Sequence, residues 1–328
     1  MRRLAWLGAS ILGLVFGWGV WSYRHSLVPP PKQGGGIRFE LRGTEWVGYQ
    51  PDGKVQWRII AQSGGVNPGN PRVFVAKMVS DGEVYDAQGK QKLNHLQARI
   101  LYIDTEAKTA MLVPKAKFHY AHHEIQCEGP LQMNLIRLEL ETSHNMTWKN
   151  ASMLGQAQSL KVSLKENRCQ FEGAVQLQRG NRQIQADKMD YEVEHDVLVF
   201  PKGIRWEAPD LTQLVSREHL QKLQKKDWIQ TVHARTVITA DYGKMTRDEL
   251  IFEGQVLVSQ PQQTLSCRQL SIRPKEGLVS AKDRVKWRKP NQLNGEAQRV
   301  TLNITQEKVE ASQRIKTIFY QKRVEIHD

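Results

Sequence analysis

Ala98-x-x-Leu101-x-Ile103 is the stretch that decides the fold, because the same arrangement returns down the chain. A small residue is followed three and five places later by further, mostly apolar residues. The arrangement recurs as Ala157-x-x-Leu160-x-Val162, Ala186-x-x-Met189-x-Tyr191, Ala234-x-x-Val237-x-Thr239, Cys267-x-x-Leu270-x-Ile272 and Ala297-x-x-Val300-x-Leu302. Cys127, in Ile125-Gln126-Cys127, fills the gap between the first two and mirrors Ile184-Gln185-Ala186, although Pro130 takes the first apolar place. The steps are 29, 30 and 29 residues from Ala98 through Cys127 and Ala157 to Ala186, then 33 and 30 from Ala234 through Cys267 to Ala297. Only the 48-residue step from Ala186 to Ala234 departs. A period in this range means stacked supersecondary units, each burying its apolar face against the next.

Within a unit, apolar and polar residues alternate as in a half-buried strand: Met189, Tyr191 and Val193, a turn at Glu194-His195-Asp196, then Val197 to Phe200. Trp206 and Trp287 lie 81 residues apart, as do Gly173 and Gly254 in Phe171-Glu172-Gly173 and Phe252-Glu253-Gly254. Glu128-Gly129 is a third such pair, and a glycine inside a strand pattern marks a bulge or sharp corner. A repeated corner predicts a sheet folded over on itself, with Ala or Cys where backbones come close. An ordinary β-sandwich is the alternative. Asp210 to Trp228 reads as a helix, with Asp210 as N-cap and Lys222, Lys225 and Lys226 in solvent. An insertion there explains the long step.

Leu4 to Tyr23 carries no charge, and twenty helical residues rise about 30 Å, enough to cross a bilayer. Trp6, Trp18, Trp21 and Tyr23 suit its interfaces, and Arg2 and Arg3 favour a cytoplasmic start. A retained anchor is expected over a cleaved signal, because Gly17-Trp18-Gly19-Val20-Trp21 is a poor cleavage site. Ala9, Gly13 and Gly17 form a small-residue stripe suited either to helix packing or to lipid. Pro29-Pro30-Pro31 and Gly34-Gly35-Gly36 form a linker.

The formal charge of +13 suits anionic lipid or glycan. No nucleic-acid motif occurs, and an exported domain argues against that partner. Three cysteines without a Cys-x-x-Cys pair read as buried thiols, with one bridge left open. His119, His122 and His123 read as a polar turn beginning at Tyr120-Ala121 rather than a metal site, although on one continuous strand His119 and His123 would share a face. Asp52-Gly53 and Asp81-Gly82 are hairpin signals. Glu172 and Glu253 resemble a glycosidase pair only superficially, since their repeated context makes them corners. No enzyme, cofactor or metal is expected.

The anchor, the linker, and the rungs Gly53-Lys54-Val55-Gln56-Trp57-Arg58-Ile59-Ile60-Ala61, Val84-Tyr85-Asp86-Ala87-Gln88-Gly89-Lys90 and Leu96-Gln97-Ala98 through Asp104 resemble the LptC family of the bacterial lipopolysaccharide exporter. The later Phe-Glu-Gly-x-Val rungs resemble OstA-type repeats. The resemblance implies an all-β, stacked-rung β-jellyroll or β-taco, with one transmembrane helix and a short helical insertion. The expected divisions are an anchor over 1–24, a linker over 25–36, an LptC-like jellyroll over 37–150, and further OstA-like repeats over 151–328 with the insertion near 210–228.

It also implies a single-pass inner-membrane protein with its C-terminal domain in the periplasm. Lipopolysaccharide would pass from an ABC transporter to a periplasmic bridge protein. Stacked rungs align Leu101, Ile103, Leu160, Val162, Met189, Tyr191, Val237, Leu270, Ile272, Val300 and Leu302 into an apolar stripe, the expected lipid groove. Lys161 and Lys188 would point outward. The strand holding Ile315, Thr317 and Phe319 is the expected docking edge. A membrane-anchored scaffold or glycan-binding spacer, with a filled interior, is the competing reading. An anchored glycan hydrolase is a third.

Overall fold

A computed structural model describes residues 38–42, 45–67, 69–212, 233–289, 293–304, 306 and 308–319. The anchor, the linker, the stripe of Ala9, Gly13 and Gly17, and residues 213–232 of the expected insertion lie outside the described residues. No helix among the described residues is long and apolar enough to cross a membrane.

The chain folds as an all-β jellyroll of antiparallel rungs. Each rung bends once, so one continuous sheet becomes two facing half-sheets. The front half-sheet contains strands such as Ala116–Tyr120, His123–Cys127, Met153–Ala157, Ile204–Ala208 and Thr236–Ala240. The back one contains Thr109–Val113, Leu131–Asn134, Ser159–Ser163, Val197–Phe200 and Tyr242–Met245. Long strands such as Arg168–Arg179 and Leu250–Gln260 run through both. Inward residues alternate with outward ones, and the inward faces meet in one core.

The Glu-Gly pairs are the corners that the repeat predicted. The register shifts between Glu172 and Val175 and between Glu253 and Val256. Gly173 and Gly254 sit there at φ of 76° and 92°, a region that side chains disfavour. The small residue of the repeat stands beside these bends: Ala98, Cys127, Ala157, Cys267 and Ala297 are all buried. Around the insertion, however, the buried corner residue is Ala240, followed by Gly243 and Met245 inside the back half-sheet. Ala234 lies in the preceding turn. Asp81-Gly82 is also a correction. It lies within the strand Asn70–Tyr85 rather than in a hairpin. A Cβ there would lie 3.0 Å from Leu96 Cβ, a tight contact that the absent side chain of glycine avoids.

Along the back half-sheet the turns repeat too. Lys108, Leu138, Asn167 and Asp196 all adopt positive φ, between 51° and 55°. The carbonyls of Lys108, Leu138 and Asn167 accept the N–H groups of Leu135, Leu164 and Val193 in the next rung, at 2.9 to 3.0 Å. Asp104 and Asn134 open two of these turns by accepting two backbone N–H groups each. Each turn therefore fixes the height of the next.

All three cysteines are free and buried. Burial pushes the Cys127 and Cys267 thiols up to about 12, and raises that of Cys169 as well. Gly254→Val should lower the urea midpoint by the equivalent of about 1–3 kcal/mol, the usual cost of a strained backbone. Its Cβ would also lie 2.3 Å from Asp241 Oδ2, which accepts the Gln255 N–H. Gly65→Val, where nothing lies within 4 Å of the added Cβ, should cost far less.

Candidate functional site

The interior differs along its length. Leu101, Ile103, Leu160, Val162, Met189 and Tyr191 are at most 2% exposed, packed in a closed core. None of the six lines the apolar groove at the far end of the array. Aromatic rings fill the space between the half-sheets there: Trp46 meets Phe74 at 4.0 Å between centroids, and Trp148 meets Phe171 at 4.1 Å. A third pair, Trp206 and Phe252, stands at 6.5 Å. In each pair the tryptophan belongs to the front half-sheet and the phenylalanine to the back.

Polar contacts close the lip of these middle rungs. Gln56 donates to the Leu135 carbonyl at 2.7 Å. Arg179 pairs with Asp196 at 3.0 Å, and Asp196 accepts the Tyr191 hydroxyl at 3.3 Å. His123 Nε2 lies 3.0 Å from the Tyr191 hydroxyl. The histidine triplet is therefore a turn. His123 points inward on the returning strand, while His119 lies on the outer face beside Glu124. The two do not share a face, because the turn at Ala121 and His122 separates them. No cluster among the described residues has the make-up of a metal site. Glu172 pairs with Lys188 at 2.5 Å and Glu253 accepts from Gln269 at 3.0 Å, so both carboxylates serve their corners.

Beyond Trp206 and Phe252 the half-sheets part, and an apolar groove of about 450 Å³ opens. Its front wall includes Ile238, Val258, Leu265 and Trp287, and its back wall Leu270, Ile272, Val279, Ala281, Val300 and Leu302. Four of the eleven expected groove residues are thus present: Leu270, Ile272, Val300 and Leu302. Val237 is not. Thr236, Ile238 and Ala240 are the buried, inward positions of that strand, so Val237 occupies the opposite face. The insertion obscured the register. Ile238, Val258, Leu265 and Trp287 are lining residues outside the repeat slot, and the alternation in Val256-Leu257-Val258 was their available signal.

Opposite Trp287, the back wall offers Val300, Leu302 and Ala311, all smaller than the phenylalanines that face the earlier tryptophans. Among the described residues that line the groove, no phenylalanine bridges to Trp287. Trp287 is closely held on its own side: a Cβ on its cross-strand neighbour Gly295 would lie 2.0 Å from the indole. Exposed Arg288 and half-buried Lys289 also line the groove, together with Gln260, Gln263 and Thr264. Leu211 lines it too, at the start of the undescribed 213–232 stretch.

Comparison with known proteins follows the same geometry. Residues 222–321 match the model of the family described as Lipopolysaccharide-assembly, LptC-related. Residues 156–243 match that of the LptA/(LptD N-terminal domain) LPS transport protein family. No curated protein matches. Among solved structures, the chain is similar to LptH of Pseudomonas aeruginosa, titled the LptA-homologous periplasmic component of the conserved lipopolysaccharide transport device. The identity is 12%, over 51% of this chain and 94% of that one, with a TM-score of 0.24. Residues 156–321 thus carry repeats similar to those of two families of lipopolysaccharide-transport proteins, the LptC-related and the LptA/(LptD N-terminal domain) families. The LptC-related match covers the groove-bearing rungs, whereas the sequence resemblance was read mainly in the first rungs.

Burial, reinforced by neighbouring His122 and opposed by Asp196, pulls His123 down to about 4. An unfolded histidine titrates near 6.5. Between these values the unfolded chain binds the extra proton, so stability should fall as pH drops from about 6.5 to about 4. Urea denaturation across that window checks this, and His123→Phe should flatten the slope. An unchanged slope would assign the loss to other groups.

Proposed function

We propose that this protein binds lipopolysaccharide, or a related outer-membrane lipid, by its acyl chains and passes it across the periplasm. The apolar groove between the last rungs carries the reading. Each buried methylene contributes about 0.8 kcal/mol, so a wall of Leu, Ile, Val and Trp holds hydrocarbon without directed polar chemistry. Arg288 and Lys289 lie where an anionic phosphate would emerge. The family matches support the same ligand class. The N-terminal sequence supports a single inner-membrane anchor, packed by Ala9, Gly13 and Gly17 against the helices of an ABC transporter that supplies the lipid. The closed middle rungs fit a rigid spacer, so for that part of the chain the scaffold reading stands beside this one.

Delivery requires a second protein. In the front half-sheet Lys316–Phe319 is the outermost strand among the described residues, paired on its inner side to Leu293–Asn303. We place the bridge protein on its other side, by strand addition around Ile315, Thr317 and Phe319. The boundary between spacer and lipid-holding rungs then falls beyond Trp206 rather than at 150, with residues 151–206 belonging to the spacer.

Native mass spectrometry of the purified chain should show a copurifying acylated lipid, and Val300→Phe should displace it by supplying the missing ring. Photo-crosslinkers at Leu270 and Leu302 should capture lipopolysaccharide in cells, whereas those at Leu160 and Met189 should not. Capture at Leu160 or Met189 would place lipid in the middle rungs instead. Absence of lipid from the native chain and from every crosslinker would favour the scaffold.

Thr317→Pro should abolish binding of the bridge protein while leaving the melting temperature within a few degrees of native. Unchanged binding would remove that edge from the proposal.

A further inference from the structure

The groove has a floor. Trp206 is the cross-strand neighbour of Ile238, and Phe252 that of Leu270, so both stand one strand inward of groove-lining residues. Both are completely buried, and their rings meet edge to face at 67°. One comes from each half-sheet, so together they span the gap through which a chain would have to pass. Behind them Ile184, next to Trp206, and Phe200 belong to the closed core. The Trp206 Nε1–H is buried without a hydrogen-bond partner.

We propose that the Trp206–Phe252 pair is a stop that sets the length of hydrocarbon the groove accepts. This rests on the groove being an acyl-chain site. From Thr236–Ala240 to Leu278–Lys289 the front wall crosses three strand intervals, roughly 14 Å at the usual spacing. That is comparable with a saturated chain of about a dozen carbons lying along the rungs, its methyl end on the aromatic pair and its charged end near Arg288 and Lys289. The pair therefore selects medium chains and prevents lipid from sliding into the middle rungs.

The test uses the full chain in amphipol, titrated with octanoate, decanoate, dodecanoate and hexadecanoate. Affinity should rise about fourfold per methylene up to dodecanoate and then level, with hexadecanoate no more than about twofold tighter. Trp206→Leu and Phe252→Leu should each bind hexadecanoate at least about tenfold tighter than they bind dodecanoate. A continued rise in the native chain, or an unchanged plateau in both variants, would overturn the stop while leaving the groove intact. No binding of dodecanoate to the native chain would remove the groove reading itself, and the stop with it. Should the leucine variants fail to fold, ω-bromododecanoate gives a second readout. Its bromine should quench native tryptophan fluorescence, and Trp206→Phe saturated with the ligand should lose most of that quenching. Equal quenching in native and Trp206→Phe protein would place the methyl end elsewhere and overturn the proposal.

Discussion

Two half-sheets that face each other are held at a distance set by whatever side chains reach across. Here the reach is aromatic. Trp46 with Phe74, Trp148 with Phe171 and Trp206 with Phe252 each join front to back. Rings in such arrangements add about 0.5–1.5 kcal/mol to the area they bury. They also act as spacers that leave no continuous channel. Trp287 repeats the front half of the device where the described back-wall lining is aliphatic, and the interior opens there. One fold thus provides a packed core and a cavity, with the difference carried by the size of the facing residues. Volume is conserved poorly by such a change, and a close-packed interior cannot relax to fill the gap when its walls are pinned by backbone ladders.

Those walls are pinned by the repeat. The bend of each rung needs a small residue or a left-handed glycine, and each back turn docks on the one before through a carbonyl-to-amide bond. This is why the fold was legible in the chain itself. Corners such as Glu172-Gly173 and Glu253-Gly254 impose residue types that sequence retains at a fixed interval. The αL positions at Lys108, Leu138, Asn167 and Asp196 keep the same interval but escaped notice, because four different side chains occupy one backbone conformation. Backbone periodicity shows in sequence only where a conformation restricts chemistry, and glycine does so more sharply than the rest.

The site was less legible. Alternation distinguishes inward from outward, and it did so at Leu270, Ile272, Val300 and Leu302. It cannot distinguish a packed interior from an empty one, since Met189 and Leu270 carry the same pattern. That difference depends on partners across the gap, separated in sequence by whole rungs. Val237 illustrates a second limit. A period of two is unforgiving, and an insertion of unknown length before a strand removes the phase reference. Within Thr236–Ala240 alternation alone leaves two choices, and Thr236 as an inward polar residue favours the wrong one. The Gln260 side chain donates to its hydroxyl at 2.8 Å, which makes its burial tolerable.

A lipid carrier must bind apolar chains strongly enough to extract them and weakly enough to release them. A channel running through every rung would offer many equivalent positions and no reason to stop. On the proposed function, a short groove with closed rungs behind it would confine the cargo to one end of the array. Release would then require that a partner extend the apolar surface at that end, beside Lys316–Phe319, the outermost front strand among the described residues. The positive lip adds an attraction that salt and headgroup chemistry can tune without altering the walls. The middle rungs, closed by rings within and polar bridges at the lip, hold that end a fixed distance from the first described strands.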